Sequence, residues 1–132
     1  MRKTETDIQI RFADVDILGH VNNVNLQHYF DLGKTDFYTQ ILGSDVVPGG
    51  REFPITASTG TSFLAQTRQN EHVYVETSMP AVGNKSMTLE QRLISRDTGE
   101  VKAESRSVMV AFDFVDQVSI PVPEAWRRAN EQ

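Results

Sequence analysis

Val24 to Gly43, VNLQHYFDLGKTDFYTQILG, decides the fold. Leu26, Phe30, Gly33, Phe37 and Ile41 recur there at three- and four-residue steps, while Gln27, Asp31, Lys34 and Thr35 lie mostly off that line. Apolar positions at this period form one stripe of an amphipathic helix. Asn22 or Asn23 is placed to cap its start, because an Asn side chain accepts from the free N–H groups of a first turn. Gly43 is placed to end it. A helix of ~20 residues is ~30 Å long, which is long for a chain of 132 residues. Gly33 inside the stripe costs ~1 kcal/mol relative to Ala. Either the helix tolerates a weak point there, or the missing side chain lets a sheet come close.

The flanks are β. Asp7 to Asp14 predicts a strand, with Ile8, Ile10 and Phe12 alternating against polar neighbours. A polar bend follows at Ile17 to Asn23. Beyond the helix, Ser44 to Pro54 holds two glycines and two prolines and predicts a loop. Ile55, Ala57, Thr59, Thr61, Phe63 and Ala65 then mark one face of a long strand. Val73, Val75, Thr77 and Met79 mark the next, and Met87, Leu89 and Leu93 a third. Asp97-Thr98-Gly99 turns into a last strand, Glu100 to Phe114. Small residues on one face of that strand, Ala103, Ser105 and Ser107 among them, suit a sheet that curls around a helix. Its other face turns apolar at Val108, Val110 and Phe112, which predicts a partner subunit. Pro121 to Ala129 predicts a short C-terminal helix. One long helix and one antiparallel sheet make an α+β domain, since the apolar stripe must be buried against the sheet.

Composition narrows the function. Hydrophobic residues are 39% and charged residues 23%, as in an ordinary single globular domain. A net charge of -5 argues against nucleic acid as the main partner, because phosphate binding needs a basic face. The absence of cysteine excludes a thiol nucleophile, disulfides and thiolate zinc sites. The first residues carry positive charge without a following apolar run, so no secretory signal or membrane span is expected. A cytoplasmic location is the expectation, and the Asn84-Lys85-Ser86 sequon is then silent.

Possible chemistry is densest in Asp14-Val15-Asp16-Ile17-Leu18-Gly19-His20-Val21-Asn22-Asn23, between a strand and a helix start. Two carboxylates, an imidazole and a set of unpaired N–H groups meet there, and such donors stabilise an oxyanion or a phosphate. Asp-x-Asp-x-x-Gly also opens a calcium loop, but Leu18 and Asn25 then stand where oxygen ligands are required. Asp14, Asp16 and His20 are also a possible transition-metal set by residue type, yet His28 and His72 add no ligand spacing. Asp and Asn are also frequent in turns and caps for purely structural reasons.

The run Arg11 to Asn23, RFADVDILGHVNN, followed by a helix containing His28-Tyr29-Phe30-Asp31, resembles the active-site signature of acyl-CoA thioesterases of the 4-hydroxybenzoyl-CoA thioesterase type. It also resembles the Asp-x-x-x-His-Val-Asn-Asn stretch of plant acyl-carrier-protein thioesterases. The resemblance implies a hotdog fold, in which a curved antiparallel sheet wraps a long helix. It further implies a homodimer or homotetramer with the site shared between subunits, and hydrolysis of an acyl-CoA without metal or organic cofactor. By the same resemblance Asp16 is the catalytic carboxylate, as nucleophile or as base. The N–H near Asn23 polarises the thioester oxygen, and His20 positions Asp16 or water, or transfers a proton. The plant enzymes carry an asparagine where Leu18 stands, so their full three-residue set is not intact here. Asp14 is read mainly as a structural acid.

Lys85 and Ser86, at the head of a strand, correspond to groups that meet coenzyme A phosphates in such enzymes, with Arg68 and Arg92 as weaker candidates. Lys85 is alternatively a solvated strand-start lysine. Tyr29, Phe30, Phe37 and Phe63 either line an acyl pocket or belong to the core. Rival functions on the same fold are a hydroxyacyl dehydratase, a non-catalytic acyl-thioester binder and an acyl-carrier-protein thioesterase. The last needs a basic mouth, to which Arg51, Arg68 and Lys85 are the candidates.

Overall fold

The computed structural model describes residues 1–43 and 49–132. Its elements run β1 (Lys3–Ile8), a 3-10 turn (Phe12–Asp14), α1 (Asn23–Phe37) widening into a π turn (Tyr38–Leu42), β2 (Glu52–Phe63), β3 (Val73–Val82), β4 (Ser86–Ser95), β5 (Val101–Asp113), β6 (Val118–Ser119) and α2 (Glu124–Glu131). The strands form one antiparallel sheet in the order β1-β3-β4-β5-β2, with the short β6 paired to β5. Helix α1 lies across β1, β3 and β4. A curved sheet holding one long helix is the hotdog arrangement that the resemblance implies.

The helix is where its period places it. Asn22 caps it by accepting from the Asn25 N–H at 3.0 Å, and the π turn ends at Gly43 with φ 125°. Leu26, Phe30 and Phe37 are buried, each contributing roughly 1.5–3 kcal/mol by leaving water. The core has two parts along the helix. Leu26 and Phe30 meet Val75, Leu93 and Ala103 at its start, and Phe37 and Ile41 meet Met79, Met87 and Met109 further on. Trp126 of α2 closes the second part.

Gly33 marks the point of closest helix–sheet contact. A Cβ there would stand 2.6 Å from Val75 Cγ1, 2.9 Å from Gln91 Nε2 and 3.1 Å from Thr77 Oγ1. Gln91, wholly buried, donates from Nε2 to the Phe30 carbonyl at 2.7 Å and to Thr77 Oγ1 at 3.1 Å. The sheet therefore comes close because residue 33 has no side chain.

Four expectations need correction. The strand expected over Asp7 to Asp14 ends at Ile8. Asp14 turns back so that its Oδ2 accepts from the Arg11 N–H at 3.0 Å, which closes a 3-10 turn and leaves Phe12 81% exposed. The loop expected over Ser44 to Pro54 stops earlier, because β2 begins at Glu52; residues 44–48 lie outside the described ones. Pro54 fits in β2 because that strand is at the sheet edge, where a missing N–H costs nothing. The single face expected from Ile55 to Ala65 is broken by a bulge between Thr56 and Ser58. Thr56 touches the inward Met109, whereas beyond the bulge Thr59 and Thr61 are the residues that meet inward Ser107 and Ser105. An extra residue changes the parity.

The C-terminal helix begins at Glu124 with Pro123 as cap, three residues later than its expected start. Among the described residues no helix is long and apolar enough to cross a membrane. Gly33→Ala should destabilise the fold by about 1–3 kcal/mol despite the better helix propensity of Ala, through overpacking. Urea unfolding checks this; an unchanged or raised midpoint would mean that the helix–sheet contact is loose.

Candidate active site

Asp14 and Asp16 stand two residues apart and face opposite ways. Asp14 is 1% exposed. Its carboxylate accepts from the Tyr29 hydroxyl at 2.6 Å, from Arg11 Nη2 at 2.8 Å and from the Arg11 backbone N–H. Its own carbonyl accepts from Asn22 N–H and from Asn25 Nδ2. Burial alone would raise this carboxyl, but the bonds from Arg11 and Tyr29 hold it down to about 2. The Tyr29 hydroxyl is pushed well above its ordinary range by burial and by the Asp14 charge. Asp14 thus fixes the chain ahead of α1 to the helix's own first turns.

Asp16 sits at the start of a tight turn above that junction. Val15 pairs with Val21, Asp16 N–H donates to the His20 carbonyl at 2.8 Å, and Gly19 N–H donates to the Asp16 carbonyl at 2.9 Å. Gly19 has φ 79°, a conformation that glycine adopts without strain. Asp16 Oδ1 accepts from the Leu18 N–H at 2.9 Å and the His20 N–H at 3.2 Å. Among the described residues nothing bonds to Oδ2. The carboxylate is therefore exposed but oriented, with one oxygen held and the other open.

Contact between His20 and Asp16 runs through the His20 backbone and not its ring. His20 is partly exposed, and a β-bridge joins it to Arg68. Asn23, the first residue of α1, is exposed. With the Asn25 N–H taken by Asn22 and the Leu26 N–H bonded to the Asn22 carbonyl, the Asn23 and Val24 N–H groups form the open helix end. Among the described residues no group of three or more His, Asp or Glu side chains is arranged around a common metal position.

The turn carrying Asp16 and His20 is also ringed by apolar side chains in water. Ile17 is 100% exposed, Leu18 72% and Val24 60%. Phe63, expected in core or pocket, is exposed on β2, while Tyr29, Phe30 and Phe37 are core.

Lys85 and Ser86 are far from this turn within one chain. Ser86 pairs with Val110, at the end of the sheet where Met87 and Met109 meet the later part of the helix. The Asp16 turn is joined instead to Thr67 and Arg68, next to the Ala103 end of β5. Lys85 is exposed, and the loop before it is held from α2 by Arg127, which donates to the Gly83 and Asn84 carbonyls. Arg92 is engaged with Glu76 at 2.9 Å. Of the basic candidates, Arg68 is the one brought to the turn.

The model of the thioesterase-like superfamily matches residues 10–129. The chain belongs to that superfamily. The uncharacterized protein YsmA of Bacillus subtilis (strain 168) is 30% identical over 84 residues, 62% of this chain and about half, 54%, of that relative. A thioesterase from Thermus thermophilus, solved with coenzyme A and zinc, superposes with a TM-score of 0.84 at 25% identity over 96% of this chain and 90% of its own. A protein from Pseudomonas aeruginosa strain PAO1 reaches a TM-score of 0.87 at 23% identity, covering 97% of this chain and 89% of its own. A 1,4-dihydroxy-2-naphthoyl-CoA thioesterase from Synechocystis reaches 0.85 at 12% identity, over 99% and 97%, and shares the fold.

Arg11 was not singled out by the sequence as Asp14's partner, although the three-residue spacing of opposite charges offered a signal. The Asp14 carboxyl titrates lower when folded than its ordinary 3.8. Its stabilising contribution is therefore complete above that value and is lost as pH falls towards about 2. Asp14→Asn should lower stability at neutral pH by about 1.5–3 kcal/mol and should lack this acid-dependent loss. Denaturant midpoints of both proteins across that acid range check it; identical pH profiles would contradict the role of Asp14.

Proposed function

We propose that this member of the thioesterase-like superfamily hydrolyses acyl-CoA thioesters. Water adds to the thioester carbonyl, the carbon–sulfur bond breaks, and the acyl group leaves as a free acid while the CoA sulfur takes a proton. The observation that carries this is the orientation of Asp16 in the superfamily's motif. Two backbone N–H groups hold Oδ1, which leaves Oδ2 free to take a proton from water. The Asn23 N–H at the open start of α1 is the donor for the carbonyl oxygen, whose negative charge grows as water attacks. His20 acts by its backbone on the Asp16 carboxylate.

We further propose that the site is completed by a second copy of the chain. β2 is long, its outer edge is free among the described residues, and it is mostly exposed. A free edge of this kind pairs readily with another strand. Antiparallel pairing of two β2 strands about a two-fold axis sets the Glu52 end of one beside the Phe63 end of the other. Because Glu52 pairs with Asp113 and Phe63 with Ala103, the Lys85–Ser86 end of the partner is then carried towards the Asp16 turn. The water-exposed Ile17, Leu18 and Val24 would be covered by the same association. Lys85 and Ser86 of the partner subunit then meet the CoA phosphates. The Thermus thermophilus thioesterase solved with coenzyme A supports this choice of thiol.

Release of free thiol from a panel of acyl-CoAs tests the activity. Asp16→Ala should lower kcat by about 10²–10⁴-fold, the usual worth of a positioned base. Full turnover in that variant would end the assignment. Lys85→Ala should raise KM for acyl-CoA about three- to tenfold, as expected for an exposed charge contact. It should leave kcat unchanged, and so too the hydrolysis of acyl N-acetylcysteamine thioesters, which lack the phosphates. Equal effects on both substrates would remove Lys85 from the CoA site.

A further inference from the structure

Lys102 interrupts the ladder between β4 and β5. Leu93 pairs with Ala103 and Ile94 with Val101, so Lys102 is the extra residue of a bulge. A bulge re-aims the residue it displaces. Both polar ends of Lys102 meet the segment that follows β2. Its carbonyl accepts from the Leu64 and Ala65 N–H groups at 2.9 and 3.0 Å. Its ammonium donates to the Gln66 carbonyl at 3.1 Å and meets Glu71 Oε2 and Glu100 Oε1, each at 2.8 Å. The three donors of the ammonium thus have three acceptors. Lys102 is 7% exposed, and a lysine is rarely so buried without such partners.

Glu71 carries the contact onward. Its other oxygen, Oε1, accepts from the Arg68 N–H at 3.1 Å, and its own N–H donates to the Arg68 carbonyl at 3.1 Å. Thr67 and Arg68 are the residues on which the Asp16 turn leans. The Thr67 carbonyl accepts from the Val21 N–H at 2.8 Å, and Arg68 bridges to His20. His20 in turn donates its N–H to Asp16 Oδ1 at 3.2 Å. An unbroken line of contacts therefore runs from a buried ammonium in the sheet to the oriented carboxylate. Asp14 secures the turn from the helix side, and this line secures the opposite leg. Asp16, Ile17, Leu18 and Gly19 are all exposed, so buried packing does not hold them.

We infer that Glu71, held by Lys102, is a positioning residue for Asp16, an inference that rests on the catalytic reading of Asp16 given above. A buried ion pair adds little net stability over apolar residues of the same size, because both charges lose their water. What a fully bonded pair supplies is fixed geometry. A base needs that geometry, since a small displacement of a reacting group costs a large factor in rate. The two carboxylates on Lys102 differ in this respect. Glu71 reaches the Arg68 backbone, whereas the half-exposed Glu100 carboxylate bonds, among the described residues, to Lys102 alone.

Glu71→Ala and Glu100→Ala each remove one 2.8 Å ion pair from Lys102, and the first alone cuts the line to Asp16. In proteins folded by circular dichroism, Glu71→Ala should lower kcat for acyl-CoA about ten- to hundredfold with KM unchanged. Added to Asp16→Ala it should cost nothing further, because both act through one carboxylate. Glu100→Ala should leave kcat within about twofold. Glu71→Gln, which keeps the shape and loses the charge, should show the Glu71→Ala pattern at smaller size. Amide hydrogen exchange reads the brace without turnover. Glu71→Ala should speed exchange at His20 and Val21 about tenfold, with the β3 and β4 amides unmoved. Equal kcat losses in the Glu71 and Glu100 variants would overturn the inference, as would unchanged exchange at His20 and Val21. If no thioester is hydrolysed but that exchange pattern appears, the hydrolase reading fails while the brace on the turn stands.

Discussion

The Asp14 carboxylate ties three parts of the chain into one junction. It holds Arg11 before the turn and Tyr29 inside the helix, while its backbone carbonyl holds Asn22 and Asn25 at the helix start. A buried charge is tolerated only with such partners, since stripping it of water is costly. With the junction fixed, the next residues rise from it as a tight turn. Asp16 is therefore presented by a rigid base although its own side chain is in water. The two carboxylates of one short motif divide the work, one holding the chain and the other available for chemistry.

Helix position follows from a second constraint of the same severity. Gly33 lets Val75, Thr77 and Gln91 come within contact distance of the backbone, and Gln91 locks that approach with a bond to the Phe30 carbonyl. The axis of α1 is thereby set over β1, β3 and β4. The outer edge of β2 remains free among the described residues. That edge, together with the exposed Ile17 and Leu18, makes sense for a chain whose site is finished by a second copy.

Much of the fold was legible because its signals are strong and repeated. The three- and four-residue period from Leu26 to Ile41 gives the helix, and alternation gives β3, β4 and β5. Where single side-chain bonds or single inserted residues decide the backbone, periodicity says nothing. The turn at Phe12–Asp14 depends on one carboxylate reaching back to one N–H, and the bulge at Ala57 on one extra residue. The candidate site was readable as a motif, but not the opposite directions of Asp14 and Asp16, because both residues suit a polar turn. Nor could the sequence tell that Lys85 and Asp16 lie at opposite ends of one chain's sheet. Only strand register reveals that separation, and it is this register that makes a shared site geometrically sensible. The buried Gln91 amide beneath Gly33 was equally out of reach, since a glutamine in a strand reads as a surface residue.

Mixing two impaired variants, assayed at acyl-CoA concentrations below KM, tests the shared site most directly. Chains carrying Asp16→Ala and chains carrying a charge-reversing Lys85→Glu are each expected to be impaired with acyl-CoA. In a mixed dimer, one of the two sites would receive an intact Asp16 from one chain and an intact Lys85 from the other. Thioesterase activity should therefore rise above the average of the two separate variants when they are unfolded together and refolded as a mixture. If the mixture shows only the average of the two separate variants, the site is not built across subunits, and the account given for Asp16 and Lys85 is wrong.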